Sequence, residues 1–567
     1  MKDLACGVLI SCAFMIRCPK KEGGIFDCFM AFRTIKTNNL YFLIICGVAA
    51  LSALLYAYLP TSSLFIFNSP DETANFFATE SFYLYNSFGR PEPLNDIADN
   101  LIHPRSIIVS DGFLFPVSFL GLPLIYGFAA KIFGLGIVPF IIPIFSSFFV
   151  ILFYFILKRI FNAESAFWSA LFLAPLPPFL YFSNRGLFHN ILFFDLLILF
   201  LAVAVFQPIK YLGAQAGKKK WLYEFGDEIW GAVILGFAFL TRPPEFLWLL
   251  PILAALGIIF YKNIRRKQFF VGLAILGFFA VIFLVINKTL YGGLVGSGYL
   301  VARGAEGGVI SAIRSSLLPF GFNLRVVAAN IWHYFFGLFP VFGAAYALGA
   351  VFFLLKIYLK DFTRPGKIYF LSWVWLSVFL FIYYGSGRFQ DTPDPGMITP
   401  AVSYYRYWLP IYVFGLPIAL NWIIFGVKIF SRVASSIVLS VLFLVYAVVS
   451  FMIVFMTPGD GLFDVRREIL SYRDIIAQSE ALIPQGSLII VYKADKIFFP
   501  QWPVALFDDS DKFYDAIVRV RKERQVFYFR PGPTPKEKFY IYNKLAERNL
   551  VLTRVAIMGK NVLYEIR

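Results

Sequence analysis

The sequence predicts a polytopic α-helical membrane protein of about eleven spanning helices, closed by a small extracytoplasmic α/β domain at its C-terminus. Three observations lead to this fold class. Of the 567 residues, 59% are hydrophobic and 15% are charged, which is more apolar surface than a soluble core can bury. Apolar windows long enough to cross about 30 Å of hydrocarbon recur along the chain. The formal net charge of +17 is gathered in basic clusters between these windows, as in the cytoplasmic loops of membrane proteins rather than a nucleic-acid surface.

Residues 1–36 are predicted to form a cytoplasmic N-terminal extension. The apolar run at 4–16 is too short to span a bilayer and lacks the small-residue cleavage site of a signal peptide, so we expect residues 1–29 to be dispensable. All five cysteines precede residue 47. They therefore cannot crosslink the later loops, and their spacing fits no zinc site.

Residues 37–456 are predicted to form the membrane domain. If the N-terminus is cytoplasmic, every dense basic cluster falls on the cytoplasmic side, as the positive-inside rule requires. The apolar windows begin near Leu40, Pro139, Ser165, Ile191, Phe269, Ile331, Ile368, Tyr407 and Val433, with a broken pair between Ile229 and Tyr261. The basic clusters are Lys158/Arg159, Lys218–Lys220, Lys262–Lys267, Lys356–Lys367 and Lys428/Arg432.

A further apolar segment, Phe113–Phe133, lies in a large first outer loop at 61–137. Counting this segment as a crossing would invert every later loop and place the basic clusters outside. It is also rich in glycine and proline, which suits a helix packed against protein better than a lipid-exposed span. We therefore predict a re-entrant or interfacial helix here.

Residues 457–567 change abruptly in composition and are predicted to fold as a soluble α/β domain on the extracytoplasmic side. Helical and strand-like segments alternate along this part of the chain. It contains no histidine, no cysteine and no glycine-rich phosphate loop, so no chemistry is predicted for it. The predicted helices are 466–477, 511–523 and 535–548, and the predicted strands are 487–492, 526–529, 550–557 and 561–566.

Two adjacent carboxylates, Asp71 and Glu72, follow the first spanning segment, where the chain enters the outer loop. At a membrane surface such a pair can deprotonate an acceptor hydroxyl or hold a cation. The alternative is an ordinary helix start, since acidic residues also favour the N-terminus of a helix, and this helix would run to about Ser87. Both residues are candidate catalytic groups.

Isolated cationic residues lie at the predicted outer ends of spanning segments. A charge at this depth usually needs an anionic partner. Together with Asp71, these cations therefore predict a cation-lined cleft that suits the phosphate of a lipid carrier. The alternative is that each long side chain snorkels to the interface. The residues are Arg185, Arg242, Lys288, Arg388 and Arg406, and Arg105 of the first loop is a further candidate contact to the phosphate.

Other polar residues are weaker candidates. His103 lies in the first loop and either meets the phosphate or is solvated. His189 and Asn190 begin a helix, where capping is an equal alternative to binding a ligand. Asp391 and Asp394 suit a divalent cation or a turn equally well. Neither a metal site nor a required cofactor is therefore predicted.

Several motifs, taken in order, resemble those of the C-superfamily membrane glycosyltransferases. The resemblance is strongest to the group that contains the protein O-mannosyltransferases and the lipid A aminoarabinose transferases, and it covers about residues 35–456. The motifs are Pro70–Glu72, Gly236–Pro243, Leu290–Gly293, Ser297–Tyr299 and Arg406–Pro410.

The resemblance implies a plasma-membrane enzyme that transfers a sugar from a polyprenyl or dolichyl phosphate, with inversion at the anomeric carbon, to an extracytoplasmic lipid, glycan or protein. Asp71 matches the family's first-loop aspartate and is implied to be the general base. By position, Arg242 or Arg406 would stabilise the leaving phosphate. Tyr299, with the histidines and Asn190 named above, would line the acceptor or donor loop.

Two departures from the family pattern limit what the resemblance implies about the reaction. Where many relatives place a second acid, this chain has His189-Asn190, so the resemblance gives no support to a two-acid site or to metal dependence, although a divalent cation stays possible. The Trp-Trp-Asp signature of oligosaccharyltransferase catalytic subunits is absent, so transfer to asparagine is not expected.

Two other classes of function compete with a transferase. A transporter or flippase of lipid-linked glycans would show an internal repeat and charges at the bilayer midplane, and the sequence shows neither. A non-catalytic subunit of a glycan assembly complex would be favoured by a degenerate acidic pair, whereas Asp71 and Glu72 are both present.

Overall fold

The computed structural model describes residues 25–61, 65–207, 221–259, 266–293, 317–337, 340–389, 399–532 and 535–567. They form a bundle of apolar helices and a small mixed sheet domain at the C-terminus, which confirms the predicted fold class. The helices are α1 (Ile25–Tyr56), α2 (Pro70–Tyr85), α3 (Gly121–Phe133), α4 (Ile141–Ile160), α5 (Ala163–Leu173), α6 (Pro177–Ser183), α7 (His189–Phe206), α8 (Trp221–Thr241), α9 (Phe246–Ile259), α10 (Arg266–Tyr291), α11 (Leu324–Ile331), α12 (Pro340–Tyr358), α13 (Arg364–Gly385), α14 (Ser403–Tyr407), α15 (Leu409–Val427), α16 (Arg432–Met456), α17 (Leu462–Leu482), α18 (Asp495–Phe498), α19 (Asp511–Arg521) and α20 (Pro535–Ala546). The strands are β1 (Arg90–Pro91), β2 (Ile107–Ser110), β3 (Phe113–Pro116), β4 (Leu488–Val491), β5 (Val504–Leu506), β6 (Val526–Pro531), β7 (Leu552–Met558) and β8 (Asn561–Ile566).

Eight of the described helices are long and apolar enough to cross a bilayer, and two pairs of shorter helices pass the same test together. The pair α5 and α6 bends by 54°, and the pair α8 and α9 bends by 116°. Both bends fall at double prolines, Pro177-Pro178 and Pro243-Pro244, because proline lacks the N–H that would continue the helix. Counting each pair once gives up to ten spans over the described residues, whereas the prediction of about eleven counts α8 and α9 separately.

Tyrosine side chains inside the bundle donate hydrogen bonds to backbone carbonyls. Tyr56 Oη donates to Ala174 O at 2.8 Å, and Tyr126 Oη donates to Gly186 O at 2.6 Å. A buried hydroxyl in the membrane needs such an acceptor because no water is available there. These two bonds join α1 to the end of α5, and α3 to the chain just before α7.

The first loop is a folded unit in which α2 and α3 flank a small antiparallel sheet of order β1-β3-β2. Residues 113–116 lie in strand β3, so the prediction of one helix over 113–133 is wrong for its first part. The cause is Asp111-Gly112, whose φ angles of 49° and 75° form the tight two-residue turn of a β-hairpin. Helix α3 has 13 residues, about 20 Å at 1.5 Å per residue, which is too short to span.

Helix α3 packs closely against the end of α8. A Cβ atom at Gly121 would lie 2.3 Å from the backbone of Leu240 and of Thr241, so any larger residue would push the two helices apart. This contact holds the first loop beside the break at Arg242.

The C-terminal domain is a five-stranded sheet of order β5-β4-β6-β8-β7. Strand β4 is parallel to β5 and β6, while β8 is antiparallel to β6 and β7. Every helix and strand predicted after residue 457 is present, and β5 and the one-turn helix α18 are additional. Both additional elements are only three or four residues long, which is too short to show a periodic pattern.

The C-terminal domain and the first loop share a hydrophobic core. Phe77 of α2 packs against Phe499 with ring centroids 4.9 Å apart, and Ile102 lies in the same buried cluster as Tyr514. The predicted boundaries, which assign 61–137 to the membrane domain and begin a separate domain at 457, therefore cut through a continuous core. The first loop and the C-terminal domain form one unit against the bundle.

Candidate active site

Asp71 lies in the first turn of α2. Ser69 is the N-cap residue and its hydroxyl accepts a hydrogen bond from the backbone N–H of Asp71 at 3.3 Å, while Pro70 occupies the first helical position. The helix start considered as an alternative is therefore present, and it fixes the direction of both carboxylates. The Asp71 side chain is 34% exposed, whereas that of Glu72 is 4% exposed, so only Asp71 is open to a substrate.

Two side chains from distant parts of the chain hold the Asp71 carboxylate. Ser106 Oγ donates to Asp71 Oδ1 at 2.6 Å, and Arg406 Nη1 lies 3.4 Å from Asp71 Oδ2. Ser106 precedes β2 and has a positive φ of 61°. The carboxylate is thus oriented by one hydroxyl and one cation, and the structure brings together two residues that the sequence assigned to one cleft.

The guanidinium of Arg406 is held by its own short helix and by aromatic rings. Its Nη2 donates to Ser403 Oγ at 2.8 Å, and its Cζ lies 4.7 Å from the ring centroid of Phe188 and 5.2 Å from that of Tyr407. Stacking on ring faces suits the planar, weakly hydrated guanidinium. The 3.4 Å ion pair to Asp71 is longer than the usual 2.7–2.9 Å of such bonds.

Glu72 is committed to a buried ion pair. Its Oε2 accepts from Arg185 Nε at 2.9 Å and from Nη2 at 2.5 Å, and Arg185 Nη1 donates to Tyr181 Oη at 3.0 Å. Both charged side chains are less than a tenth exposed. The Glu72 carboxylate neutralises Arg185 inside the protein, which favours a structural role for Glu72 over the predicted role as a second catalytic group.

Arg242 also has a protein partner that the sequence reading missed. At the double-proline break, its Nη2 lies 2.8 Å from Glu245 Oε1 and donates to Tyr384 Oη at 2.7 Å. Its Cζ is 5.3 Å from the centroid of the same Tyr407 ring that Arg406 contacts. The three-residue spacing of Arg242 and Glu245 is the signal that identifies this pair.

Three of the five cations that the sequence predicts to be isolated therefore have carboxylate partners within the chain, namely Arg185, Arg242 and Arg406. Arg185 and Arg242 do not need an external anion to balance their charge, because their carboxylate partners are close and buried. Lys288 and Arg388 are exposed and have no ion pair among the described residues. Arg406 is the cation placed beside an accessible carboxylate.

A buried polar cluster supports the site from behind. His189 Nε2 lies 2.7 Å from Phe119 O, and its Nδ1 lies 3.4 Å from Asn75 Nδ2. Asn75 in turn donates to Leu187 O at 2.7 Å, and Asn190 Nδ2 donates to the backbone carbonyl of Arg406 at 3.1 Å. These contacts join α2, α7 and α14, so His189 and Asn190 hold the site's backbone together.

Several predicted residues lie elsewhere. Arg105 is predicted to bind phosphate, and its Nη2 lies 2.6 Å from Asp495 Oδ1 in the C-terminal domain, so it has a carboxylate partner within the chain. His103 Nδ1 contacts the carbonyl of Pro104. Tyr299, Asp391 and Asp394 lie outside the described residues. Over the described part of the chain, no group of three or more acidic, histidine or cysteine residues could hold a metal ion.

The fold is similar to that of one solved membrane transferase over most of its length. ArnT from Cupriavidus metallidurans, a lipid A aminoarabinose transferase, gives a TM-score of 0.52 in its undecaprenyl phosphate-bound form, at 12% identity, over 91% of this chain and 97% of that chain. Its apo form gives a TM-score of 0.52 at 13% identity, over 92% of this chain and 97% of that chain. The apo oligosaccharyltransferase of Archaeoglobus fulgidus gives a TM-score of 0.49 at 10% identity, over 86% of this chain and 69% of that chain. No family model and no curated protein matches the sequence. The chain has the fold of the C-type membrane glycosyltransferases.

Proposed function

We propose that this chain, with the fold of C-type membrane glycosyltransferases, moves a sugar from a polyprenyl- or dolichyl-phosphate carrier to a hydroxyl acceptor. The acceptor is a lipid, glycan or protein on the side of the membrane that holds the C-terminal domain. The observation that carries the proposal is the contact between Asp71, a partly exposed carboxylate, and Arg406, a stacked cation. The likeness to ArnT, which was solved with undecaprenyl phosphate, supports a lipid-phosphate carrier.

In the proposed reaction Asp71 is the general base. The acceptor oxygen attacks the anomeric carbon from the face opposite the phosphate, which gives inversion, and its proton passes to a carboxylate oxygen of Asp71. The bond between the anomeric carbon and the phosphate oxygen breaks, and its electron pair leaves on the carrier phosphate. Ser106 orients the carboxylate through its 2.6 Å hydrogen bond, which keeps the accepting oxygen aimed at the acceptor.

Arg406 is proposed to stabilise the departing phosphate. A phosphate is already a good leaving group, so positive charge placed where negative charge develops contributes more than a general acid would. The long ion pair to Asp71 allows the guanidinium to turn a donor toward the phosphate while stacking on Phe188 holds it in place. Arg242 is proposed to add positive charge near the phosphate from its place on the Tyr407 ring, which Arg406 also contacts. The exposed Lys288 and Arg388 are proposed outer contacts of the phosphate.

The function is tested by assaying purified protein, reconstituted into sealed proteoliposomes, with a panel of polyprenyl-phosphate sugars and hydroxyl acceptors. We expect at least one donor to release its carrier phosphate in step with formation of a glycosylated acceptor, and no metal to be required. The proposal fails if the wild-type protein consumes none of the donors, or if the donor crosses the membrane unchanged, which would indicate a flippase.

The proposed orientation places the N-terminus in the cytoplasm, and the site and the C-terminal domain outside, in the plasma membrane. This orientation keeps every dense basic cluster inside. Reporter fusions at Lys219 and after Arg567 should therefore report opposite sides of the membrane. Reporters that agree with each other would contradict both the orientation and the prediction of about eleven crossings, which counts α8 and α9 separately.

A further inference from the structure

Two consecutive residues of the C-terminal domain reach the two chain segments that hold Asp71. Asp495 and Lys496 begin the short helix α18, which packs against the start of the first loop and against α17. Asp495 is fully buried, and the Lys496 side chain is 14% exposed. Neither residue touches the Asp71 carboxylate directly, so any role in the reaction must act through the segments they hold.

Asp495 holds the segment that carries Ser106. Its Oδ2 accepts from the backbone N–H of Arg105 at 2.9 Å, and its Oδ1 accepts from Arg105 Nε at 2.9 Å and from Nη2 at 2.6 Å. Arg105 Nη2 also donates to Lys493 O at 2.7 Å. Because Ser106 is the next residue and donates to Asp71, the position of its hydroxyl depends on this three-bond contact.

Lys496 holds the segment that leads into α2. Its Nζ donates to the backbone carbonyl of Asn68 at 2.6 Å and to Asn68 Oδ1 at 2.6 Å. Tyr472 Oη donates to the same Oδ1 at 3.2 Å. Asn68 precedes the N-cap residue Ser69, so this contact fixes where α2 starts and hence where Asp71 stands.

We propose that Asp495 and Lys496 are positioning residues for Asp71, so that the C-terminal domain sets the geometry of the base by holding the loop at both Asn68 and Arg105. This inference rests on the proposed function and assigns the domain a role in that same site. A base that must reach an acceptor proton within about 3 Å loses rate steeply when it is displaced by 1 Å. The two contacts are separate from the ion pair of Arg519 with Asp99, at 2.6 Å, which joins the same two parts of the chain elsewhere.

The charge of Lys496 is part of this contact. Burial lowers the pKa of Lys496 to about 8, against the raising effect of Glu468, whose carboxylate lies 4.0 Å away. Below this pKa the ammonium donates fully to Asn68, and above it the group loses its charge and its hydrogen bonds weaken. The charged and titratable groups that face it are Glu468, Tyr472, Arg105, Arg185 and Asp495.

The test compares Lys496→Gln and Lys496→Arg with Arg519→Gln as the matched control. We expect Lys496→Gln to lower kcat about tenfold with less than a twofold change in KM, because the base is displaced while substrate binding is retained. Lys496→Arg should keep kcat within about threefold and move the alkaline limb of the rate profile, near pH 8 in the wild type, to higher pH. Arg519→Gln should leave kcat and the alkaline limb of the rate profile unchanged. Equal losses in Lys496→Gln and Arg519→Gln, or an alkaline limb that Lys496→Arg does not move, would overturn the proposal.

A second measurement separates this proposal from the proposed function. Amide hydrogen exchange of residues 65–75 and 102–110 should become faster in Lys496→Gln and in Asp495→Asn, but not in Arg519→Gln. If the wild-type protein transfers no sugar but exchange increases in this pattern, the function fails and the positioning contact stands. If exchange is unchanged in both variants, the positioning role is wrong whatever the activity.

Discussion

The Asp71→Asn variant is expected to keep its fold and to lose sugar transfer by a factor of about 100 or more. Asparagine keeps the size of the side chain and can still accept the hydrogen bond from Ser106, but its amide cannot take the acceptor proton. The side chain is 34% exposed, and Arg406, which loses its ion pair to Asp71, keeps its hydrogen bond to Ser403 and its stacking on Phe188 and Tyr407, so the fold should be retained. The measurement is the rate of carrier-phosphate release, read beside the thermal unfolding temperature of the same preparation.

The matched control for this variant is Asp99→Asn. Asp99 lies in the same loop, is 48% exposed and pairs with Arg519 away from the site, and an exposed pair of this kind contributes little to stability. Its activity and unfolding temperature should stay near those of the wild type. Full transfer activity in Asp71→Asn, in a protein shown to be an active transferase, would make the proposed mechanism wrong.

The Glu72→Gln variant is expected to fail by a different route, through loss of folded protein. Removing the negative charge leaves the buried guanidinium of Arg185 without its counter-ion, which costs about 3 kcal/mol or more of folding free energy. Yield, monodispersity and unfolding temperature should all fall, and activity should fall in proportion to the folded fraction. The buried Oε2 contacts at 2.9 Å and 2.5 Å are the reason for this expectation.

A double variant decides whether the ion pair is the cause. Combining Glu72→Gln with Arg185→Met removes both charges, and much of the lost unfolding temperature should return because no buried charge is then left unpaired. A Glu72→Gln protein that folds normally yet transfers no sugar would move the general base to Glu72. Equal losses at Asp71 and Glu72 in well-folded proteins would favour a bound cation instead.

Features that depend on local pattern could be predicted from the sequence. Apolar windows and the alternation of helices and strands after residue 457 each extend over many neighbouring residues, and the fold agrees with them. The prediction of one helix over 113–133 is wrong in its first part because the composition suits a helix throughout, although Asp111-Gly112 favours a hairpin. The shared core of first loop and C-terminal domain has no local signature at all.

Pairing of charges was the part of the site that could not be predicted. Asp71 and Glu72 are equivalent in the sequence, and only the fold shows that one is exposed and the other bound to Arg185, 113 residues away. Asp71 and Arg406 could be assigned to one cleft, because the predicted topology places both residues on the outer side and both lie in family motifs. Glu245 could have been found from its spacing to Arg242, whereas Asp495 is 390 residues from Arg105.

The long separation between Arg105 and Asp495 has a consequence for biosynthesis. At about 5–20 residues per second, the ribosome needs roughly 20–80 s to reach α18 after it has made the first loop. During that time the remaining membrane helices are inserted, and the loop lacks the C-terminal domain that completes its core. The site is therefore assembled last, after the C-terminal domain has emerged on its side of the membrane, and nascent or prematurely terminated chains carry an unfinished first loop.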